Sequence, residues 1–249
     1  MRDKKLFFVL SAFLALSMSG CDYLGARDNL NKGVRAYGES DYQGAAVFFE
    51  EATQLDPELI EAELYLGMAY LQQFVPGAVG PDNERNADMA VQTFQSVLQG
   101  DPDNTTALAG LASIYQNTNQ IDLARASYVR QVEIAPDDPV AHYSVGSVNW
   151  MMVFNKTIER DPEEIVSLIE EGQMHLDRAL ELRETYEDAM SYKNLLYRQA
   201  AELIPEDTED EEALAQREEL LAMADDWFNK ALETRQRNAE LAAAGLAVE

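Results

Sequence analysis

Few side chains in this sequence could do chemistry. It holds one cysteine, Cys21, and two histidines, His142 and His175, against 45 acidic residues. One cysteine and two histidines cannot assemble a four-ligand Cys/His zinc site, and a single thiol cannot close a disulfide within the chain. Glu170 and Glu171 precede His175 by five and four positions, which on a helix makes a surface carboxylate–imidazole pair rather than a general base serving a nucleophile. His142 and His175 have no companion ligands in local sequence, so each reads as a surface or helix-packing residue. The acidic run Glu206, Asp207, Glu209, Asp210, Glu211 and Glu212 lacks the spaced Asp/Asn ligands and turn glycine of a calcium loop. It reads as a solvated loop that delivers negative charge to a helix N-terminus. No catalytic residue, metal or cofactor is expected, and the chain reads as a non-enzyme. A net charge of −26 repels a phosphate backbone, so nucleic acid is not a partner.

The one chemistry that remains belongs to Cys21. Arg2, Lys4 and Lys5 precede an apolar run from Leu6 to Met18, in which only Ser11 and Ser17 are polar. That is the architecture of an export signal. A helix over this run rises about 20 Å, short of the roughly 30 Å that a spanning segment needs. The run ends Met18-Ser19-Gly20-Cys21, which resembles the bacterial lipobox. The resemblance implies lipidation of Cys21, removal of residues 1–20 and a periplasm-facing body held by acyl chains to the cell membrane. Several chains are needed for stable attachment, because each buried CH₂ contributes about 0.8 kcal/mol. Asp22, directly after the cysteine, fits the sorting pattern for retention at the inner membrane.

The elements behind the signal follow a repeat. Pro57, Pro102 and Pro136 each close an apolar-periodic stretch, the last two 34 residues apart and the first two 45 apart, an interval equal to 34 with an insertion of 11. Ala45, Ala90 and Ala124 lie twelve residues before those prolines, and Phe49, Phe94 and Tyr128 lie eight before them. A small residue and an aromatic at i and i+4 share one helix face. The small residue admits a neighbouring helix and the ring fills the gap beside it, so each repeat depends on stacking against the next. Proline breaks one helix and starts another. Glycine at 13 and proline at 8 are too few for a low-complexity or disordered chain.

These offsets resemble those of the tetratricopeptide repeat family, with its 34-residue helix-turn-helix. Gly33, Leu66-Gly67 with Tyr70, and Leu111 with Tyr115 occupy the family's first-helix places, and Ala52 its second-helix alanine. Ala36 and Gln131 depart from the pattern. Val145-Gly146, then Gly172, Leu176 and Ala179, and finally Ala224, Phe228 and Ala231 carry it further. The resemblance implies an all-α, right-handed superhelical solenoid of about five helix pairs. Its domains are a signal over 1–20, a short tether over 21–27, repeats at about 28–58, 59–104, 105–138, 139–184 and 185–236, and a tail over 237–249. The insertion, Phe74 to Arg85, reads as a turn-rich loop or an extended connection.

Groove positions carried over from the family include Leu64, Met68 and Leu71, then Gln116, then Tyr143, Ser147 and Trp150, and finally Ser191, Leu195 and Arg198. The Lys/Asn clamp for a chaperone tail is absent from them. What remains suits a peptide or helix with apolar anchors and basic flanks. Leu64, Met68 and Leu71 equally suit packing within the stack, and Trp150 suits either groove or core. The expected function is a non-catalytic, membrane-anchored scaffold for protein partners of a bacterial cell-envelope complex. The alternative is a periplasmic carrier or hydrolase for a small ligand or glycan.

Overall fold

The structure, a computed structural model, describes residues 22–246. Cys21 and the apolar leader before it lie outside the described residues, as do positions 247–249. The described residues are all-α, with ten helices and no strand, and none of these helices is long and apolar enough to cross a membrane. The chain divides into two compact units, residues up to Thr118 and residues from Asn119 onward.

The first unit begins with a helix over 22–38, α1. The stretch 22–27, read from sequence as a tether, is therefore helical: its side chains already take part in the apolar face, with Ala26 fully buried. Helices α2 (Tyr42–Leu55), α3 (Ile60–Gln73), α4 (Pro81–Gly100) and α5 (Thr105–Asn117) follow. Short polar residues start two of them, α2 and α5. Asp41 Oδ1 accepts from the Gly44 N–H at 2.9 Å, and Asn104 Oδ1 accepts from the Ala107 N–H at 3.0 Å, each satisfying a donor left free by the first turn. The inserted segment is shorter than the sequence suggests. It is a loop over 74–80, and positions 81–85 lengthen α4 at its start. Pro81 takes a first-turn place that needs no N–H, and Gly80 before it adopts a φ of 145°. Asn83 ties the loop down, accepting from the Val75 N–H at 2.7 Å and donating to the carbonyls of Val75 and Ala78.

Packing in this unit is ring into glycine. Phe49 on α2 lies against Gly33 of α1 and stacks on Tyr65 of α3, with ring centroids 5.5 Å apart. Phe94 on α4 sits between Gly67 of α3 and Gly110 of α5; a Cβ added at Gly67 would stand 2.8 Å from the ring. Both phenylalanines are fully buried.

The second unit holds α6 (Ile121–Ile134), α7 (Pro139–Phe154), α8 (Pro162–Leu182), α9 (Glu187–Glu202) and α10 (Glu211–Ala243). Pro139 and Pro162 open their helices. Leu176 on α8 fills the notch at Gly146 of α7, and Leu196 on α9 fills the one at Gly172 of α8. A polar cluster replaces the ring as the centre of this packing. The fully buried Asn149 donates to the Leu168 carbonyl at 3.1 Å and to Glu171 Oε2 at 2.7 Å, and its Oδ1 accepts from Arg125 Nε at 2.9 Å. Arg125 closes the set on Glu171 at 2.5 Å, so α6, α7 and α8 share one hydrogen-bonded knot. Asp210 caps α10 through the N–H groups of Glu212 and Ala213. Glu206 pairs with Arg217.

One detail differs from the sequence reading. Phe228, read as the filler of the last repeat, is 52% exposed, because among the described residues α10 packs only against α9. At the end of the unit, α10 runs on through Ala243 and so takes in the first part of the tail.

Candidate functional site

The candidate groove residues fall in both compact units and are described within each. In the first, Leu64, Met68 and Leu71 lie half-buried along α3, and Gln116 lies half-buried at the end of α5, where its carbonyl accepts the Thr118 N–H. No ring contact or hydrogen bond gathers the α3 trio into a site. In the second, the structure assembles one.

Tyr143, Ser147 and Trp150 recur at helical spacing on α7, so they share one face. Tyr186 and Tyr192, at the start and along α9, come against that face. The rings touch in sequence: Tyr186 to Tyr143 at 4.9 Å between centroids, Tyr143 to Tyr192 at 5.6 Å, Tyr192 to Trp150 at 5.3 Å, and Trp150 to Phe154 at 4.9 Å. The geometry alternates between tilted, edge-on and stacked, the arrangements that ring quadrupoles favour. The strip is neither core nor open surface. Its four inner rings are half-buried, while Phe154 at the far end is 57% exposed. Trp150 turns its N–H edge inward, where Nε1 is buried without a hydrogen-bond partner, and keeps a ring face on Phe154. Ser147, between the two large rings in sequence, donates its Oγ–H to the Ser144 carbonyl at 3.0 Å.

The electrostatic setting at the Tyr143 end is mixed, with carboxylates on two sides. Burial first, then Tyr192 and the Asp188 carboxylate, push the Tyr143 phenol above its ordinary range. Burial likewise raises Tyr186, against the Arg183 guanidinium that lies 4.6 Å over its ring; Asp188 and Asp138 add to the rise. These phenols stay neutral at any ordinary pH and serve as hydrogen-bonding apolar plates. Arg198 is not part of the strip. Its guanidinium is held by Asn194 Oδ1 at 2.9 Å and by Asp225 of α10 at 2.7 Å.

Sequence reasoning missed Tyr186, Tyr192 and Phe154 as members. The groove register carried over from the family falls on Ser191, and the neighbouring Tyr192 points about 100° away on the helix; α9 presents that second face to α7. The two histidines are helix-packing residues. They lie across α7 and α8 from one another, in contact. Among the described residues no group of three or more His, Cys, Asp or Glu side chains is placed to hold a metal ion.

Residues 84–146 match the model of the tetratricopeptide repeat. The chain thus carries tetratricopeptide repeats. Its fold is similar to that of the crystal structure of MamA protein, with a TM-score of 0.61 at 17% identity over 90% of this chain and 98% of that one. It is also similar to MamA 41-end from Desulfovibrio magneticus RS-1, at 0.61 and 16% identity over 86% and 96% of the two chains. The structure of YrrB, described as a TPR protein with an unusual peptide-binding site, superposes at 0.56 and 16% identity over 84% and 90%. In sequence, the Protein CTR9 homolog of Arabidopsis thaliana is 25% identical over 163 residues. That alignment takes in 62% of this chain and 14% of the plant protein's length. The tetratricopeptide repeats here thus combine the family's ring-and-glycine packing with an aromatic strip between the first helices of two adjoining pairs.

Proposed function

We propose that this protein is a non-catalytic interaction scaffold, tethered through a lipidated Cys21 to a bacterial membrane and facing the periplasm, where it assembles or stabilises a cell-envelope complex. The observation that carries the reading is the strip formed by Tyr186, Tyr143, Tyr192, Trp150 and Phe154. Large, stiff rings supply contact area at low entropic cost, and half-exposed rings beside carboxylates suit a partner segment with apolar anchors and basic flanks. The peptide-binding site that names YrrB supports a peptide as the form of that segment. The basic, apolar leader ending at Cys21 supports the tether.

The test is photo-crosslinking in the native membrane from a reactive residue placed at Ser147, repeated in a Tyr143→Ala, Trp150→Ala background. The crosslinked partner should be lost in the double variant, or its affinity reduced tenfold or more, while the far-ultraviolet spectrum stays helical. Undiminished capture by a folded double variant would place the partner elsewhere. Cys21→Ser should separately release the protein from membranes; a variant that matures and fractionates unchanged removes the lipid tether and leaves the strip untouched.

A further inference from the structure

Both histidines of the chain meet across the α7–α8 pair, although 33 positions separate them. Nδ1 of His142 lies 2.9 Å from Nδ1 of His175, and the ring centroids are 5.0 Å apart. They sit in the wall of an open cleft of about 820 Å³, which they share with Pro136, Glu170 and Arg178, so water and protons reach them.

The partners decide where the hydrogens are. The Pro136 carbonyl can only accept, so His142 Nε2, at 2.9 Å, carries a hydrogen. A neutral imidazole has one N–H. His142 Nδ1 therefore presents its lone pair, and the hydrogen between the two Nδ1 atoms belongs to His175. One added proton leaves this bridge standing, because a singly charged pair still places one hydrogen between the two nitrogens. A second proton does not. It sets N–H against N–H at hydrogen-bond distance and puts two positive rings side by side.

We infer that the His142–His175 bridge is a proton-operated latch, closed between α7 and α8 near neutral pH and opened when the pair takes its second proton in acid. The carboxylates around it are each engaged by another partner or exposed. From α8, Glu171 is already engaged by Arg125 of α6 and by Asn149, and Glu181 is taken by Arg178. Asp137, in the turn before α7, is taken by Arg178 as well, and Asp138 is occupied in capping α7. Asp177 pairs with Lys193 of α9, and Glu170 is exposed. Burial, then the neighbouring His142 and Arg125, hold the His175 imidazole below the ordinary histidine range against the pull of Glu171. On the reading of the strip given above, His142 precedes Tyr143 directly, so acid opening would also slacken one end of the partner surface. The test below uses no partner and stands or falls independently of that reading.

Because the chain has only two imidazoles, their ring resonances can be followed without ambiguity in ¹⁵N–¹H spectra of the full chain from pH 8 to 5. The expected result is a hydrogen-bonded Nδ1–H at neutral pH and two separated protonation steps. As the second step passes, exchange of the α8 amides over 172–178 should accelerate at least tenfold beyond its intrinsic pH dependence. His175→Gln supplies a side chain that can donate to a neutral His142 or accept from a charged one, so this variant should remain closed in acid. Two rings titrating as independent single steps would overturn the latch. So would unchanged α8 exchange with both rings charged, or a His175→Gln variant that opens as the parent does.

Discussion

The packing of Phe94 makes a quantitative forecast. The ring is fully buried and boxed by two glycines on two different helices. On the α3 side a Cβ at Gly67 would stand 2.8 Å from it, and on the α5 side a Cβ at Gly110 would meet two ring carbons well inside contact distance. Phe94→Ala alone removes a large filler and should cost about 3–5 kcal/mol. Gly110→Ala alone should cost about 2 kcal/mol, in the range for overpacking, because the ring cannot retreat toward Gly67. In the Phe94→Ala background the same change meets empty space. It should then be stabilising by about 0.5–1 kcal/mol, the usual gain for alanine over glycine inside a helix. The two glycine effects thus differ in sign, with a coupling of about 3 kcal/mol. Guanidinium unfolding of the parent, both single variants and the double variant, followed by circular dichroism, supplies the four stabilities. Hydrogen exchange of the α3 and α5 amides localises the loss. Additive effects, within about 0.5 kcal/mol, would show that Phe94 does not occupy the notch between Gly67 and Gly110.

Two further expectations concern the knot in the second unit. Asn149→Leu adds apolar volume at a fully buried position but strips partners from Arg125, Glu171 and the Leu168 carbonyl; denaturant unfolding should show a loss of about 3 kcal/mol, since each stranded polar group costs about 1–3 kcal/mol. Glu171 is pushed up by burial but pulled further down by hydrogen bonds from Arg125 and Asn149, and its carboxyl ends below the ordinary range. A depressed carboxyl stabilises the fold above the unfolded-state value and loses that contribution as pH falls through the folded-state value. Glu171→Gln should therefore lower stability at pH 7 and flatten its decline below about pH 4.3, the ordinary glutamate value. Melting curves across that range check it, and an acid limb as steep as the parent's would refute it.

What the sequence discloses here is local and periodic. Proline marks helix starts at Pro139 and Pro162, whereas Pro81, read within a loop, turns out to open α4; the small-then-aromatic spacing identifies Phe49 and Phe94 as the rings that fill glycine notches. The stretch matched by the family model, 84–146, includes Ala90, Phe94 and Ala124 of that spacing. What it conceals is pairing between helices. Arg125 meets Asn149 and Glu171 across 24 and 46 positions, and His142 meets His175 across 33; no local spacing announces such contacts. Tyr192 was hidden for a subtler reason. A groove register borrowed from the family selects one face of α9, and a single-residue step on a helix turns the side chain by about 100°. Phe228 errs the other way. Its spacing is that of Phe49 and Phe94, yet a filler is buried only where a following helix covers it.

The two kinds of packing also bear on why the strip lies where it does. A ring in a glycine notch fixes how closely two helices approach, but dispersion contacts are non-directional and leave each helix some freedom to rotate about its axis. Hydrogen bonds are directional. At α7 the backbones come close at Gly146 and Gly172, where a Cβ on Gly146 would stand 3.1 Å from the Gly172 carbonyl oxygen. Three residues further on, Asn149 locks the rotation through bonds to α6 and α8. That rotation determines which face α7 turns toward α9, and Tyr143, Ser147 and Trp150 occupy it. The buried polar knot is therefore the element that presents the strip in one orientation. A partner would then meet the rings already arranged, and the ordering cost of binding would have been met in folding.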